Sequence, residues 1–504
     1  MKKTISILLA LCLTCFCGLT SLTIASSGTT PVNAVITADY TVTIPATIPL
    51  TYNDNSPAQY NITADIITPL IAYHRIVVNA TGDGTSHAFS ITDGTSAVTY
   101  KLSQTSTGAA LTPGGIIATF TDSGSSPFWI NVPSWTTAQS YGTYTGNIIF
   151  TIDTEFYVTP AIGGEFYSFV ALKSNGTVWT WGSGTPTQVN GLTDVIAIAA
   201  GMYHVLALKS DGTVWMWGNI ISLTKVSGLS NITAIAAGQY HSLALDANGN
   251  VWSWGTIDSP GTANPYNYNQ YGALGDGTTI DRDTPMQVHG DANGTEQYLT
   301  DVTTIFAGQW NSFALKSDGT VWAWGYNEYG QLGNSTMNAP YYTTPIEVPA
   351  LLGVTAVAGG TRHSLALKPD GTGLAWGGND SGQAGNSNPD LTILDPTQVS
   401  GLTNVTAISA GMQHSVALKS NGTVWTWGSN SYGQLGNGTK DPTYVSGDPS
   451  TYATVNPNPY HVVGLANVTA IAAGGYVTIA MESDGSIWTW GENNYTSPTQ
   501  VIFP

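Results

Sequence analysis

The chain is 504 residues long and carries 13 Lys+Arg against 31 Asp+Glu, a formal charge of −18, which repels a phosphate backbone and argues against nucleic acid as a direct partner. Charged residues make up only 9% and aromatic residues 10%, with 57 glycines; this balance excludes disordered and helix-rich classes and points to a β-rich, turn-rich protein of more than one domain.

All three cysteines, Cys12, Cys15 and Cys17, lie in the opening stretch MKKTISILLALCLTCFCGLTSLTIAS. Two lysines, an apolar run and then small residues give residues 1–34 the form of a secretory signal peptide, cut after Ala25 or after Ala34. The remaining chain has no cysteine, so neither disulfides nor cysteine-ligated metals can hold it together. No later apolar run is long enough to form a transmembrane segment, and the expected location is secreted or cell-surface associated.

Residues 35–153 alternate apolar and polar positions in short runs such as RIVVNA, IIATFT and NIIFTID, separated by clusters of Gly, Asp, Ser and Pro. That pattern predicts an antiparallel β-sandwich domain. From residue 154 to residue 504 one phrase recurs instead. Its Trp-Gly end, or an equivalent, falls at Gly182, Gly218, Gly255, Gly325, Gly377, Gly428 and Gly491. Each copy holds an apolar strand, an Asn-Gly or Asp-Gly pair (Asn175-Gly176 in the first, Asp484-Gly485 in the last) and a second strand such as TVWTWG. The dipeptide predicts a tight type I′ hairpin. A VTAISAG-like strand precedes each hairpin and a Pro-x-x-Val strand accompanies it, so a unit supplies four strands, the number in a propeller blade. The first hairpin has no Pro-x-x-Val strand before it, and the last such strand, residues 498–501, has nothing after it. A blade completed from both chain ends, closed by strand 498–501, is the expected clasp.

This unit, followed by YGQLG at Tyr329–Gly333 and YGQLGNG at Tyr432–Gly438 with looser copies at Tyr271 and Gly382, resembles the regulator of chromosome condensation repeat. The resemblance implies a seven-bladed β-propeller over residues 154–504, in a bacterial secreted member of the family. The expected fold is all-β, a seven-bladed propeller preceded by an antiparallel β-sandwich.

Thirteen of the sixteen tryptophans sit in the W-x-W-G ends, where residues two apart share a face and serve packing between blades. Leu374 replaces the first of them in the fifth copy and should make the loosest contact there. One slot per copy reads Tyr167, His204, His241, Asn311, His363, His414 and Val477; the family commonly places His there, and hydrogen-bonded structural imidazoles are expected, with no metal site. The pair of residues before that slot holds Phe166, Met202, Tyr203, Gln239, Tyr240, Gln309, Trp310, Arg362, Met412, Gln413 and Tyr476. Aromatic, Met and Arg enrichment marks these as a candidate binding face, with Tyr271, Tyr329 and Tyr432 of the glycine-rich coils expected on the opposite face. In the family's exchange factor, acidic residues and a histidine at such turns help expel nucleotide from a small GTPase; the slots here hold no aspartate. Asp276, Asp281 and Asp283 near Arg282 lack the order of a calcium loop, and no catalytic motif or cofactor loop is present. The expected function is non-catalytic recognition of a protein or glycan at the cell exterior. A glycan-processing enzyme and a guanine-nucleotide exchange factor are the alternatives.

Overall fold

The structure, a computed structural model, describes strand backbones within residues 1–156. From residue 158 onward it describes all but 166–167, 183, 219–220, 256–268, 291–297, 387–389, 442–455 and 492–494. Two compact units divide the chain, Met1–Val158 and Thr159–Pro504.

The first unit holds two larger antiparallel sheets. One orders Lys101–Ser103, Gly124–Asn131, Ala58–Ile66, Tyr40–Ile44 and Val32–Thr37; the other orders Gly115–Phe120, His74–Gly82, Ile148–Phe156 and Ser21–Ile24.

The second unit is a ring of seven four-stranded antiparallel sheets, each made of one contiguous stretch of chain. Blades 1 to 7 begin with the inner strands Ala161–Glu165, Val195–Ala200, Ile232–Ala237, Val302–Ala307, Ala356–Gly359, Val405–Ala410 and Val468–Gly474. Alanine and glycine dominate these strands because seven of them converge on one axis. The closest approach comes at the glycine ending each inner segment: a Cβ at Gly238 would lie 2.5 Å from the carbonyl oxygen of Gly308 in the next blade.

The hairpins differ from the expected type I′ form. Positive φ falls on the glycine alone (+75° at Gly176, +76° at Gly212), and Gly176 N–H donates to Lys173 C=O while Lys173 N–H donates to Thr177 C=O. This is a three-residue loop, a type I turn followed by a left-handed glycine. The Asn or Asp before the glycine has a different task. Its side chain accepts from the residue two positions on, as in Asn175 Oδ1 from Thr177 Oγ1 at 2.7 Å and Asp211 Oδ1 from Thr213 Oγ1 at 2.6 Å.

The two tryptophan positions of each blade also part company. Trp324, Trp376, Trp427 and Trp490 are fully buried, each worth up to roughly 4–6 kcal/mol by area. The earlier tryptophan is half-buried at the hairpin, under a lysine in three blades: Lys173 over Trp179, Lys316 over Trp322 and Lys419 over Trp425. Leu374 takes this second, peripheral position yet is only 6% exposed, packed with Leu351, Val354 and Trp376. The smaller side chain sinks where the indoles stand out, so the contact expected to be loosest is well packed.

Blades are joined by a repeated hydrogen-bond unit. The carbonyls of Ala273, Gln331, Gln383 and Gln434, all in glycine coils, each accept from the buried tryptophan of the next blade: Trp324, Trp376, Trp427 and Trp490 at 2.8–3.0 Å. Each also accepts from a hydroxyl of that blade, Ser312, Ser364, Ser415 or Thr478, at 2.8–3.0 Å. Because the hydroxyl proton goes to the carbonyl, the imidazole bonded to Ser312, Ser415 or Thr478 must donate from Nε2: His241, His363 and His414, at 2.8–3.0 Å. His204 Nε2 and the Ser242 hydroxyl are hydrogen-bonded at 2.9 Å. Asn311 occupies the slot in blade 4 and does not reach; both its amide atoms are buried without a partner.

Ring closure differs from the shared blade read from the sequence. Tyr495–Val501 pairs with Ile487–Gly491, so the last strand completes blade 7 itself, and blade 1 has its own outer strand, Thr187–Gln188. Four strands run from the inner to the outer edge in chain order, which leaves no orphan at either end. The clasp is a side chain: Phe503 meets Trp179 and Trp181 of blade 1 edge-on at 5.5 and 5.8 Å, with Lys173 over its ring.

Phe503→Ala should therefore lower unfolding free energy by about 1–3 kcal/mol, less than for a fully buried ring, read as a shift in denaturant midpoint at unchanged slope; no shift would remove the clasp role. Acid should weaken the ring for a separate reason. Burial pushes the imidazoles of His204 and His363 down to about 4, and those of His241 and His414 to about 3, with a smaller contribution from the neighbouring imidazoles of His204 and His363 respectively. The folded state resists protonation that the unfolded chain accepts below about 6.5. Stability is thus complete above that pH and falls as pH drops toward 4, by about 1.4 kcal/mol per imidazole per pH unit. Denaturant midpoints at pH 7.5, 6 and 5 measure it, and His414→Gln should flatten the slope.

Candidate functional site

Within each blade the chain runs up and down, so the connection between strands one and two opens at the same end as that between strands three and four. The turn pairs and the glycine coils therefore share one face. Tyr271, Tyr329 and Tyr432, expected opposite, pack directly on turn residues: Tyr271 on Trp310 at 5.3 Å and Tyr432 stacked on Tyr476 at 4.2 Å, while the Arg362 guanidinium lies 4.6 Å over Tyr329.

The two residues of each turn have separate surroundings. The first faces the axis. Gln239 and Gln309 are buried and line a central channel of ≈ 280 Å³ together with Ala200, Ala237, Gly308 and Gly359. Gln239 Nε2 reaches the Met202 sulfur at 3.0 Å, Thr361 donates to Gln309, and backbone bonds link blades at the same level: Met202 N–H to Gln239 C=O at 3.2 Å, Gln239 N–H to Gln309 C=O at 3.0 Å and Met412 N–H to Gly475 C=O at 2.9 Å. These residues knit the channel mouth.

The second residue builds a shelf. Tyr203 stacks on Tyr240 at 5.7 Å, Tyr240 meets Trp310 at 4.8 Å, and the row continues through Tyr271 to Tyr326 at 4.5 Å and Tyr329 at 6.3 Å. Arg362 ends it, paired with Asp380 at 3.3 Å. The row crosses blades 2 to 5 with every ring partly exposed. Desolvation first, and Glu328 second, push the Tyr326 phenol upward, so it stays protonated and donates to that carboxylate. Tyr476 stands apart with Tyr432, Gln413 is half-buried beside blade 6 with its carbonyl accepting from Ser429 N–H at 2.8 Å, and Phe166 lies outside the described residues. Tyr271, Tyr326 and Tyr329 were not legible as shelf members, because recognising them requires knowing that coils and turns open together.

Two acidic residues of the long insert are committed internally, Asp276 to Arg282 at 2.7 Å and Asp281 to Asn269 N–H at 2.6 Å, while Asp283 is exposed. Among the described residues no group of three or more His, Cys, Asp or Glu is placed to hold a metal ion.

The RCC1-like domain family matches residues 220–463, and the regulator of chromosome condensation (RCC1) repeat matches residues 195–219 and 468–496. Protein pim1 of Schizosaccharomyces pombe is 36% identical over 161 residues, covering 28% of this chain and 30% of pim1. The human E3 ubiquitin-protein ligase HERC2 is 30% identical over 246 residues, 47% of this chain and 5% of the ligase. The chain thus spans less than a third of either relative. The crystal structure of yeast RCC1 (Prp20) bound to Kap60 superposes with a TM-score of 0.52 at 23% identity, over 63% of this chain and 78% of that one, a likeness of fold.

These matches correct part of the sequence reading. The family models that match are of the repeat type expected, but the relatives are a fission-yeast protein and a human E3 ubiquitin-protein ligase, not exported bacterial proteins. The expectation of a signal peptide, of a secreted or cell-surface location and of a protein or glycan partner at the cell exterior is overturned with it. The apolar opening stretch carried that expectation, and hydropathy alone does not distinguish an export signal from an apolar segment of another kind.

Proposed function

We infer that this chain, whose repeats match the RCC1-like domain and RCC1-repeat families from residue 195 to residue 496, is a protein-binding propeller that takes its partner on the aromatic shelf. The observation that carries the reading is the unbroken row Tyr203, Tyr240, Trp310, Tyr271, Tyr326, Tyr329 and Arg362, partly exposed along one face. Rigid aromatic rings and an arginine supply large contact area at little conformational cost, which is how interface hot spots are composed. In this reading the first turn residues, Met202, Gln239, Gln309 and Met412, set the floor of the site. In this reading the second unit, Thr159–Pro504, is the ring, and the two larger antiparallel sheets of the first unit, drawn from strands between Ser21 and Phe156, form a β-sandwich.

The exchange-factor alternative is the second reading. The RCC1-type matches are the observation that favours it, although the turn slots lack the aspartate that nucleotide expulsion would use. If it holds, the chain accelerates release of fluorescent GDP from a cognate small GTPase and loses that effect when the shelf is removed. No acceleration across a panel of small GTPases sinks it.

For the binding reading, partners captured by the full chain are compared with those of a triple variant, Tyr203, Tyr240 and Trp310 each to Ala. The expected loss in affinity is about 100-fold or more, with the fold retained by circular dichroism. Leu352→Ala and Val463→Ala, at exposed sites of the opposite end, should leave binding unchanged. Retention of every partner by the triple variant would show the shelf to be packing alone.

A further inference from the structure

Four seams of the ring are filled by a glycine coil. Between blades 3 and 4, 4 and 5, 5 and 6, and 6 and 7, a buried Leu274, Leu332, Ala384 or Leu435 enters the gap. The carbonyl just before it accepts the next blade's indole N–H. A left-handed glycine just after it, Gly275, Gly333, Gly385 or Gly436 with φ of +66° to +77°, lies on the indole edge. A Cβ at Gly436 would come within 2.7 Å of Trp490 Nε1, so the contact admits glycine only.

The seam between blades 1 and 2 lacks this filling. After Trp181 only Gly182 to Pro186 precede the outer strand Thr187–Gln188, too short a connection for the coil. What remains is a cleft of ≈ 420 Å³ lined by Phe169, Trp181, Met202, Tyr203, Val205 and Trp217. Trp217 is the counterpart of the four latched indoles, yet it is only half-buried, and its N–H makes no hydrogen bond among the described residues. Val205 stands where blades 4 to 7 carry Ser312, Ser364, Ser415 and Thr478, so beside Trp217 the blade 2 wall is apolar, while Thr180, Thr185 and Thr187 line the cleft on the blade 1 side.

We propose that this cleft is a binding socket for a partner protein's loop of x-Leu-Gly form. The leucine fills the gap between blades 1 and 2, the carbonyl before it accepts the Trp217 indole N–H, and the glycine lies on the indole edge. The molecule itself specifies the occupant, since its own chain seats that chemistry in three equivalent seams and its alanine variant, Ala384-Gly385, in a fourth. The socket shares only Met202 and Tyr203 with the shelf and does not rest on the shelf reading.

The test titrates the full chain with the synthetic peptide NSYGQLGNG, the sequence of residues 430–438, following tryptophan emission and calorimetric heat. Saturable one-to-one binding is expected. It should weaken about 10-fold or more when the peptide's leucine becomes Asp or the following glycine becomes Ala, and about 3–10-fold for Trp217→Phe. Val205→Phe, which fills the cleft, should abolish it, and serves as the readout should Trp217→Phe disturb the fold. Absence of saturation at millimolar peptide, or binding indifferent to the leucine, the glycine and Trp217, overturns the proposal. Self-association of the chain that the peptide dissolves would assign the socket to a second copy and overturn the partner assignment.

Discussion

One carbonyl oxygen receiving two donors from the neighbouring blade is the contact on which the ring depends. Backbone C=O has two lone pairs, and at Gln331, Gln383 and Gln434 both are used, one by an indole N–H and one by a hydroxyl. Each bond contributes a net ~0.5–1.5 kcal/mol, modest beside the tryptophan burial it directs. Its value lies in orientation: the indole, the hydroxyl and the imidazole behind it are fixed together, so apolar burial occurs in one register. Such specification matters in a chain whose Cys12, Cys15 and Cys17 all precede the ring and so cannot cross-link it.

The same carbonyl explains the site. Tyr271, Tyr329 and Tyr432 lie two residues before Ala273, Gln331 and Gln434, so the coil that latches the seam also presents a ring beside the turn of the next blade. The aromatic shelf is a continuation of the latch, and its spacing is that of the blades. Phosphate-binding or acid/base chemistry would need charges at these positions; among the described residues the ion pair on the row is Arg362 with Asp380, partly exposed and of small energetic weight.

Much of this was legible in the sequence because repeats amplify weak signals. Seven copies of an alternating strand, an Asx-Gly pair and a W-x-W-G end specify blade number, strand content and the structural use of His204, His241, His363 and His414. What was misread depends on geometry that a linear pattern lacks. The Asn-Gly pair is compatible with two hairpin classes, and the hydrogen bond from Thr177 to Asn175 selects the one with three loop residues. Strand order within the blade decided whether the strand at 498–501 was a shared or an ordinary outer strand, and whether Tyr271 and Trp310 sat on opposite faces or in contact. Asn311, one of three residues other than histidine in that slot, was visible as a departure, but its two unpartnered amide atoms could be found only in three dimensions.

The uneven distribution of coils has a mechanical consequence. Blades 3 to 7 are joined by four latched seams, whereas among the described residues the boundaries around blades 1 and 2 are held by side-chain packing, by the Met202–Gln239 and His204–Ser242 bonds and by Phe503. A closed ring of this kind has a stiff arc and a compliant arc, and strain imposed anywhere on it is relieved where the shear modulus is lowest. Load on the ring would therefore be taken up first at blade 1, where the described residues supply the fewest cross-blade hydrogen bonds.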